Sequence, residues 1–226
     1  AAANIAEAQP QARIVAILRE PASLLRSLHL QFLESYIETE HDLAAALALE
    51  SERSAGRKIP RYTYWPQTLL YSEHVRYVEQ LRRYEQRFTR ERMLVLIYDD
   101  FRADNEATVR RVLGFLGVDQ TVALGTVQAN PTVRPRSRGL SELIHAVSVG
   151  RGPISHAVKG TVKALTPERM RRRALRATKQ RVLYAEPEPA DERLMSELRR
   201  RYEPEVLALS EYLDRDLVSL WGYDDL

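Results

Sequence analysis

Apolar residues near the start of the chain change from a continuous run to helical spacing at one proline. Residues 12–18 (ARIVAIL) are apolar and rich in β-branched side chains, which is typical of a strand buried on both faces in a parallel sheet. Pro21 favours the first turn of a helix, and apolar residues then recur at helical spacing: Leu24, Leu25, Leu28, Phe32 and Leu33. The pattern predicts a strand, a tight turn over 19–21 and a helix.

A second unit of the same kind follows. Helical spacing predicts an amphipathic helix over 69–88, and residues 93–98 (MLVLIY) predict a second buried strand. Asp104 is a good N-cap for a helix over 105–116, which Gly117 ends. Two such units favour an α/β fold with a parallel sheet.

The remaining segments are mainly helices and loops. The pattern predicts helices over 1–9 and 41–53 and a loop over 54–66. In the second half, residues 129–139 (ANPTVRPRSRG) form a loop, Thr166-Pro167-Glu168 starts a helix, and residues 187–189 form a linker. A helix over 191–202 follows, and Pro204 starts another that reaches Leu213.

Composition excludes several classes of protein. Of the 226 residues, 44% are hydrophobic and 29% are charged. A chain of this length and hydrophobic content can bury one sizeable core. Cysteine is absent, so disulfide scaffolds, thiol catalysis and Cys-ligated zinc are excluded. No apolar run approaches the roughly 18 residues that span a bilayer, and no signal-peptide pattern opens the chain, so we expect a soluble, cytoplasmic protein.

Positive charge is concentrated in the second half. The net charge is only +3, but residues 151–182 hold ten basic residues and one acidic residue, Glu168. Such a run suits an anionic polymer or a membrane surface, although a solvated helix face explains it more simply. We expect no nucleic-acid partner, because no zinc-finger spacing or aromatic RNA-binding motif accompanies the run.

Candidate chemistry lies where the first strand ends, because open parallel sheets bind ligands beyond the carboxyl ends of their strands. Arg19 follows the strand directly, and Ser27 lies eight residues later on the predicted helix. A guanidinium and a hydroxyl placed in this way suit a phosphate monoester. The spacing alone leaves a structural ion pair for Arg19 and an ordinary helix position for Ser27 open.

Several segments resemble one enzyme family in the same order along the chain. Residues 12–29 (ARIVAILREPASLLRSLH) resemble the segment with which sulfotransferases hold the 3′-phosphate of 3′-phosphoadenosine 5′-phosphosulfate (PAPS), and Arg19, Pro21 and Ser27 match it position for position. Residues 71–119 resemble the family's helix, strand, acidic turn and next helix. Residues 130–139 (NPTVRPRSRG) resemble a basic segment of bacterial members, and residues 202–223 resemble their closing helix.

The resemblance implies a three-layer α/β fold, with a parallel sheet and flanking helices as in P-loop nucleotide kinases. It implies transfer of a sulfuryl group from PAPS to a hydroxyl of a small metabolite, glycan or lipid, without a metal; the catalytic base and a homodimer stay open. Arg19 and Ser27 would hold the 3′-phosphate, and Tyr71 would stack on adenine unless it is a core residue. The loop over 129–139 would close over the phosphate, with Arg134, Arg136 and Arg138 as its cations. The alternative is that this loop is exposed to solvent.

One family element has no counterpart in the sequence. The Gly-rich loop with a Lys that cradles the 5′-phosphosulfate precedes the strand in the family, whereas here the first Gly is Gly56 and the first Lys is Lys58. We therefore expect residues 1–226 to be the C-terminal two-thirds of a single sulfotransferase domain. Residues 1–120 would form its nucleotide-binding α/β part, and residues 121–226 a mostly helical, basic part.

The sequence also suggests two alternative functions and three further candidate site residues. The alternative function is a non-catalytic module that binds a nucleotide or an anionic polymer, and the missing Lys loop disfavours a P-loop kinase. His29 lies near Ser27 and could face an acceptor, although a packed His is more common. Asp99 and Asp100 could hold a metal, but no His accompanies them, and we expect them to cap the next loop.

Overall fold

The computed structural model describes residues 1–61, 63–125 and 189–225, together with the backbone of 134–135 and 184–185. The predicted helix start at 166–168 and the basic run over 151–182 lie outside these residues. The helices are α1 (Ala2–Ala8), α2 (Pro21–Glu34), α3 (Leu43–Ala48), α4 (Glu50–Ser54), α5 (Tyr71–His74), α6 (Tyr77–Glu85), α7 (Tyr98–Ala103), α8 (Asn105–Leu116), α9 (Glu192–Leu213) and α10 (Leu217–Trp221). The strands are β1 (Ile14–Leu18), β2 (Met93–Ile97), β3 (Arg134–Pro135) and β4 (Tyr184–Ala185), and 3-10 turns cover Pro66–Leu69 and Arg90–Arg92.

The two predicted buried strands pair in parallel. Ile14 lies opposite Met93 and Leu18 opposite Ile97, so β1 and β2 end at the same edge. The α/β class with a parallel pair of strands is therefore confirmed. The residues that follow the strands, Arg19 and Tyr98, are neighbours at this edge. β3 and β4 form a separate antiparallel pair.

One face of β1 is open to solvent. The side chains of Val15 and Ile17 are 42% and 50% exposed, whereas Leu18 is buried and Ala16 packs against the core. Alternate residues of a strand point to opposite faces, and the described helices cover only the face of Ala16 and Leu18. The prediction that β1 is buried on both faces is therefore wrong for the described part of the chain.

The core lies on the covered face of the sheet, among α2, α6, α9 and α10. Its most completely buried apolar side chains come from residues 22–75 and 206–217, so the core joins two segments that are distant in sequence. They are Ala22, Leu25, Ala46, Leu69, Tyr71, Val75, Val206, Leu209 and Leu217.

Two of the predicted helices are interrupted. The helix predicted over 69–88 divides into α5 and α6, because the backbone of Arg76 leaves the helical region with ψ 63°. On a continuous helix, at roughly 100° per residue, Tyr71 and Tyr77 would point about 120° apart. The interruption lets both rings be buried. The helix predicted over 41–53 likewise divides into α3 and α4, which meet at Leu49.

Pro204 does not start a new helix, contrary to the sequence-based prediction. It lies inside α9, which runs without a break from Glu192 to Leu213. Proline normally breaks a helix because it lacks the N–H and its ring crowds the preceding turn. Here one buried stripe continues on both sides of Pro204 and holds the two halves against the same core: Met195, Leu198, Tyr202, Val206 and Leu209.

Asp99 and Asp100 hold the C-terminal segment in place rather than capping the next loop. The Asp99 carboxylate accepts a 2.8 Å hydrogen bond from the indole N–H of Trp221. Asp100 forms a bidentate pair with the Arg215 guanidinium at 2.6 and 2.7 Å, which lowers the pKa of Asp100. The cap of α8 is Asp104, as predicted, whose carboxylate accepts from the N–H of Ala107.

Candidate functional site

A pocket of about 220 Å³ lies between α2 and the start of α9, beyond the carboxyl end of β1. Its lining combines basic, hydroxyl and apolar side chains with one carboxylate: Arg19, Ser23, Arg26, Ser27, Leu30, Ala190, Glu192, Met195 and Arg199. The pocket is smaller than the roughly 300–1,000 Å³ of sites that enclose a drug-sized ligand. It therefore suits one charged end of a ligand better than a whole nucleotide.

Arg19 is fixed at the mouth of the strand by two contacts. The Tyr77 hydroxyl donates a 2.6 Å hydrogen bond to the Arg19 carbonyl oxygen, and burial raises the pKa of Tyr77, which keeps that proton in place. The Arg19 guanidinium lies 4.9 Å from the centre of the Tyr98 ring, within cation–π range. Because Tyr98 follows β2, the parallel pairing of the strands holds this cation in position.

Glu20 connects the start of α2 to the end of the chain. Its buried carboxylate caps α2 by accepting from the N–H groups of Ala22 and Ser23 at 2.9 and 2.7 Å. The same carboxylate accepts a 2.7 Å hydrogen bond from the Tyr223 hydroxyl. Burial, with the negative charge of Glu20, raises the pKa of Tyr223, so this hydroxyl stays a donor. Glu20, near the start of the chain, and Tyr223, near its end, therefore together fix the first turn of α2, which carries Ser23.

The spacing of polar residues on α2 directs one face into the pocket. Ser23, Arg26, Ser27 and Leu30 follow the i, i+3, i+4, i+7 pattern of one helix face. The pocket lining thus carries three guanidinium groups against one carboxylate, that of Glu192. Guanidinium and hydroxyl donors around a site with net positive charge suit an oxyanion such as a phosphate monoester.

Comparison with known proteins assigns the chain to a family. A sequence model described as "Sulfotransferase family" matches residues 1–121, more than half of the 226. The chain belongs to the sulfotransferase family. The part of this sulfotransferase-family chain that matches includes β1, α2 and β2, and therefore Arg19 and Ser27.

A solved structure shares the fold of this sulfotransferase-family chain. The sulfotransferase from Alicyclobacillus acidocaldarius aligns with a TM-score of 0.58 and 21% sequence identity, over 96% of this chain and 61% of that protein. The chain thus spans about three fifths of that protein's length. No curated protein matches the chain.

The structure brings two of the predicted site residues together and separates a third from them. Arg19 and Ser27 line the same pocket. The Tyr71 ring has no exposed surface, and its hydroxyl donates to the buried Glu38 carboxylate at 3.1 Å. A ring with no free face cannot stack on an adenine, so in the described structure Tyr71 is a core residue, the alternative that the sequence left open.

The basic loop is described only in part. Arg134 lies in β3, whose backbone is close to α2. Arg136 and Arg138 lie outside the described residues. The prediction that this loop closes over a phosphate remains a prediction.

His29 is a packed residue. Its side chain is buried, and its Nε2 lies 2.8 Å from the Glu40 carbonyl oxygen; since a carbonyl only accepts, Nε2 is the protonated nitrogen. Burial lowers the pKa of His29. The ring does not line the pocket, which agrees with a packed His rather than an acceptor-side base.

Sequence reasoning missed Ser23, Arg26 and Arg199. The polar stripe on α2 could have pointed to the first two, since both share the helix face of Ser27. No local signal indicates Arg199, which lies 180 residues after Arg19.

Within the described residues, no group of three or more His, Asp or Glu side chains is arranged to hold a metal ion. No helix in those residues is long and apolar enough to cross a membrane.

Proposed function

We propose that this chain is the nucleotide-binding part of a PAPS-dependent sulfotransferase and that the pocket holds the 3′-phosphate of the donor. One observation carries the proposal: Arg19 and Ser27, which match the family's 3′-phosphate motif, line one pocket with net positive charge. The family match over residues 1–121 supports sulfotransfer as the chemistry.

The proposed reaction exchanges one bond to sulfur for another. The oxygen of an acceptor hydroxyl forms a bond to the sulfur of PAPS while the bond from sulfur to the bridging oxygen breaks. The acceptor loses its proton, and adenosine 3′,5′-bisphosphate leaves with the electron pair. Charge grows on the bridging oxygen, so the complete enzyme needs cations or N–H donors there.

Arg19 and Ser27 would act at a distance from the sulfur. Their guanidinium and hydroxyl would anchor the ribose-borne phosphate and so set the position of the donor's reacting end. Positioning has a large effect on rate, because a misplacement of about 1 Å can cost on the order of a hundredfold. The contacts of Tyr77 and Tyr98 with Arg19 serve this purpose, since they fix both ends of the residue.

Further features complete the proposal. We propose a hydroxyl-bearing acceptor, closure of the Arg134, Arg136 and Arg138 loop over the phosphate, a three-layer arrangement of the whole sheet and a cytoplasmic, bacterial enzyme. β3 lies close to α2, which supports the loop's role. No G-x-x-x-x-G-K loop occurs in the 226 residues, so a segment beyond them would cradle the 5′-phosphosulfate.

Thermal unfolding with two nucleotides tests the proposal. Adenosine 3′,5′-bisphosphate at about 100 times its Kd should stabilise the chain by about 2.7 kcal/mol, a rise in Tm of about 5 °C or more. AMP, which lacks the 3′-phosphate, should raise Tm much less. Arg19→Ala should remove the difference between the nucleotides, and Ser27→Ala should reduce it.

Arg87→Ala is the matched control, because Arg87 is exposed and does not line the pocket. It should keep the full difference between the nucleotides. An equal response of the unsubstituted chain to both nucleotides would contradict the proposal. Stabilisation by polyphosphate, without any by the bisphosphate, would instead favour the anionic-polymer module.

A further inference from the structure

The wall of the pocket opposite Ser27 comes from the C-terminal helix. Glu192, Met195 and Arg199 follow each other at intervals of three and four residues, so they form one stripe on α9. This stripe faces Ser23, Arg26 and Ser27 across the pocket, and α2 and α9 pack against each other. The pocket is therefore a cleft between two helices that are distant in sequence.

The Arg199 guanidinium forms a long ion pair with Glu20, but its Nε makes no hydrogen bond within the described residues. Its Nε is buried and has no hydrogen-bond partner within the described residues. The nearest carboxylate oxygen, Oε1 of Glu20, lies 4.0 Å away, beyond hydrogen-bond distance. That oxygen already accepts from Ala22 and Tyr223. A buried donor without a partner is costly unless a ligand or water satisfies it.

We propose that Arg199 is a further cationic ligand of the phosphate in this pocket. Helices α2 and α9 would then bind the phosphate from opposite sides, an arrangement called the clamp below. The proposal rests on the proposed function and extends it beyond the family match, which ends at residue 121. Arg19 and Ser27 hold the anion from the strand end and from α2, and Arg199 holds it from the opposite wall. The lining carries three guanidinium groups and one carboxylate, and Glu20 beside Arg199 adds a second carboxylate, so the net charge of +1 favours an anionic ligand.

Glu192 acts in the opposite direction on the same wall. It is the first residue of α9 and lines the pocket one turn before Met195. Its negative charge opposes that of an incoming phosphate. Removal of the Glu192 charge should therefore strengthen phosphate binding whether or not Arg199 takes part, so variants of Arg199 are the test of the clamp itself.

Isothermal titration calorimetry with adenosine 3′,5′-bisphosphate and with AMP tests the clamp. Arg199→Ala should weaken binding of the bisphosphate about tenfold, as expected for one charge-assisted contact in a partly exposed site, and Arg199→Lys should weaken it less. Glu192→Gln should tighten it about twofold. Neither change at Arg199 should alter AMP binding as much.

Arg200→Ala is the matched control, because it removes the same charge from the next, exposed position of α9. It should change the affinity less than about twofold. If Arg199→Ala and Arg199→Lys bind the bisphosphate as the unsubstituted chain does while Arg19→Ala does not, the clamp is wrong and the proposed function stands. If Arg199→Ala does not fold, Arg199→Gln, which removes the charge but keeps a polar side chain, replaces it, and an unchanged affinity for the bisphosphate overturns the clamp. Absence of any preference for the bisphosphate in the unsubstituted chain defeats the proposed function itself.

Discussion

At the scale of single residues, the helix that carries Ser27 also carries a titratable group on its buried face. The His29 ring lies in the core, edge-on to Tyr71 with 6.1 Å between ring centres, and donates to the Glu40 carbonyl oxygen. Burial lowers the pKa of His29 from its ordinary value of 6.5. The folded protein therefore holds a neutral imidazole where the unfolded chain would take up a proton.

The neutral His29 predicts a pH-dependent stability. Its contribution is fully present above pH 6.5 and is lost as the pH falls through the lowered pKa, because protons then bind preferentially to the unfolded chain. The free energy of unfolding should fall by up to about 1.4 kcal/mol per pH unit as the pH drops below 6.5 towards the lowered pKa of His29. His29→Gln keeps an N–H donor but does not titrate. Urea denaturation should therefore show a shallower pH slope for this variant, and equal slopes would contradict the prediction.

At the scale of helices and strands, the sequence pattern predicted where the strands lie better than it predicted whether a helix is continuous. The strands predicted over 12–18 and 93–98 are β1 and β2 to within two residues, because short apolar runs between turn residues have few alternatives. Sequence could not predict the break at Arg76 or the continuity of α9 through Pro204. Both depend on which side chains share the core, and helical periodicity does not show which faces meet.

Pro204 should cost stability even though α9 tolerates it. The proline is exposed and cannot donate the hydrogen bond expected of a residue inside a helix. Pro204→Ala restores the N–H, and the free energy of unfolding should rise by about 1–3 kcal/mol, measured by urea denaturation. Ala208→Gly, at another exposed position of α9, should instead lower it by about 1 kcal/mol. A loss of stability in Pro204→Ala would show that the packing of α9 requires a proline-induced bend.

At the scale of the whole molecule, the C-terminal segment is attached to the strand ends by polar contacts. Trp221 donates to Asp99, Arg215 pairs with Asp100, and Tyr223 donates to Glu20. Sequence placed Arg19 and Ser27 in one site because a single strand, turn and helix carry both. It could not place Arg199 there, since only the packing of α9 on α2 brings that residue to the pocket.

The Asp100–Arg215 pair should make a measurable contribution to this attachment. The pair is bidentate but partly exposed, so Asp100→Asn should lower the stability by about 1 kcal/mol. For a chain of this length, that is a fall in Tm of about 2–4 °C by calorimetry. Asp224→Asn, which removes an exposed charge near the same segment, should leave Tm unchanged. Equal Tm values for all three proteins would show that the pair does not hold the segment.

The hydrogen bond between Tyr223 and Glu20 joins residues that a ribosome makes more than two hundred codons apart. Helix α2 ends at Glu34 and α9 begins at Glu192, so the two walls of the cleft are synthesised more than 150 residues apart. A nascent chain that does not yet contain α9 therefore cannot retain a phosphate between these helices. A product truncated before α9 would lack that wall and would expose Arg19 and Ser27.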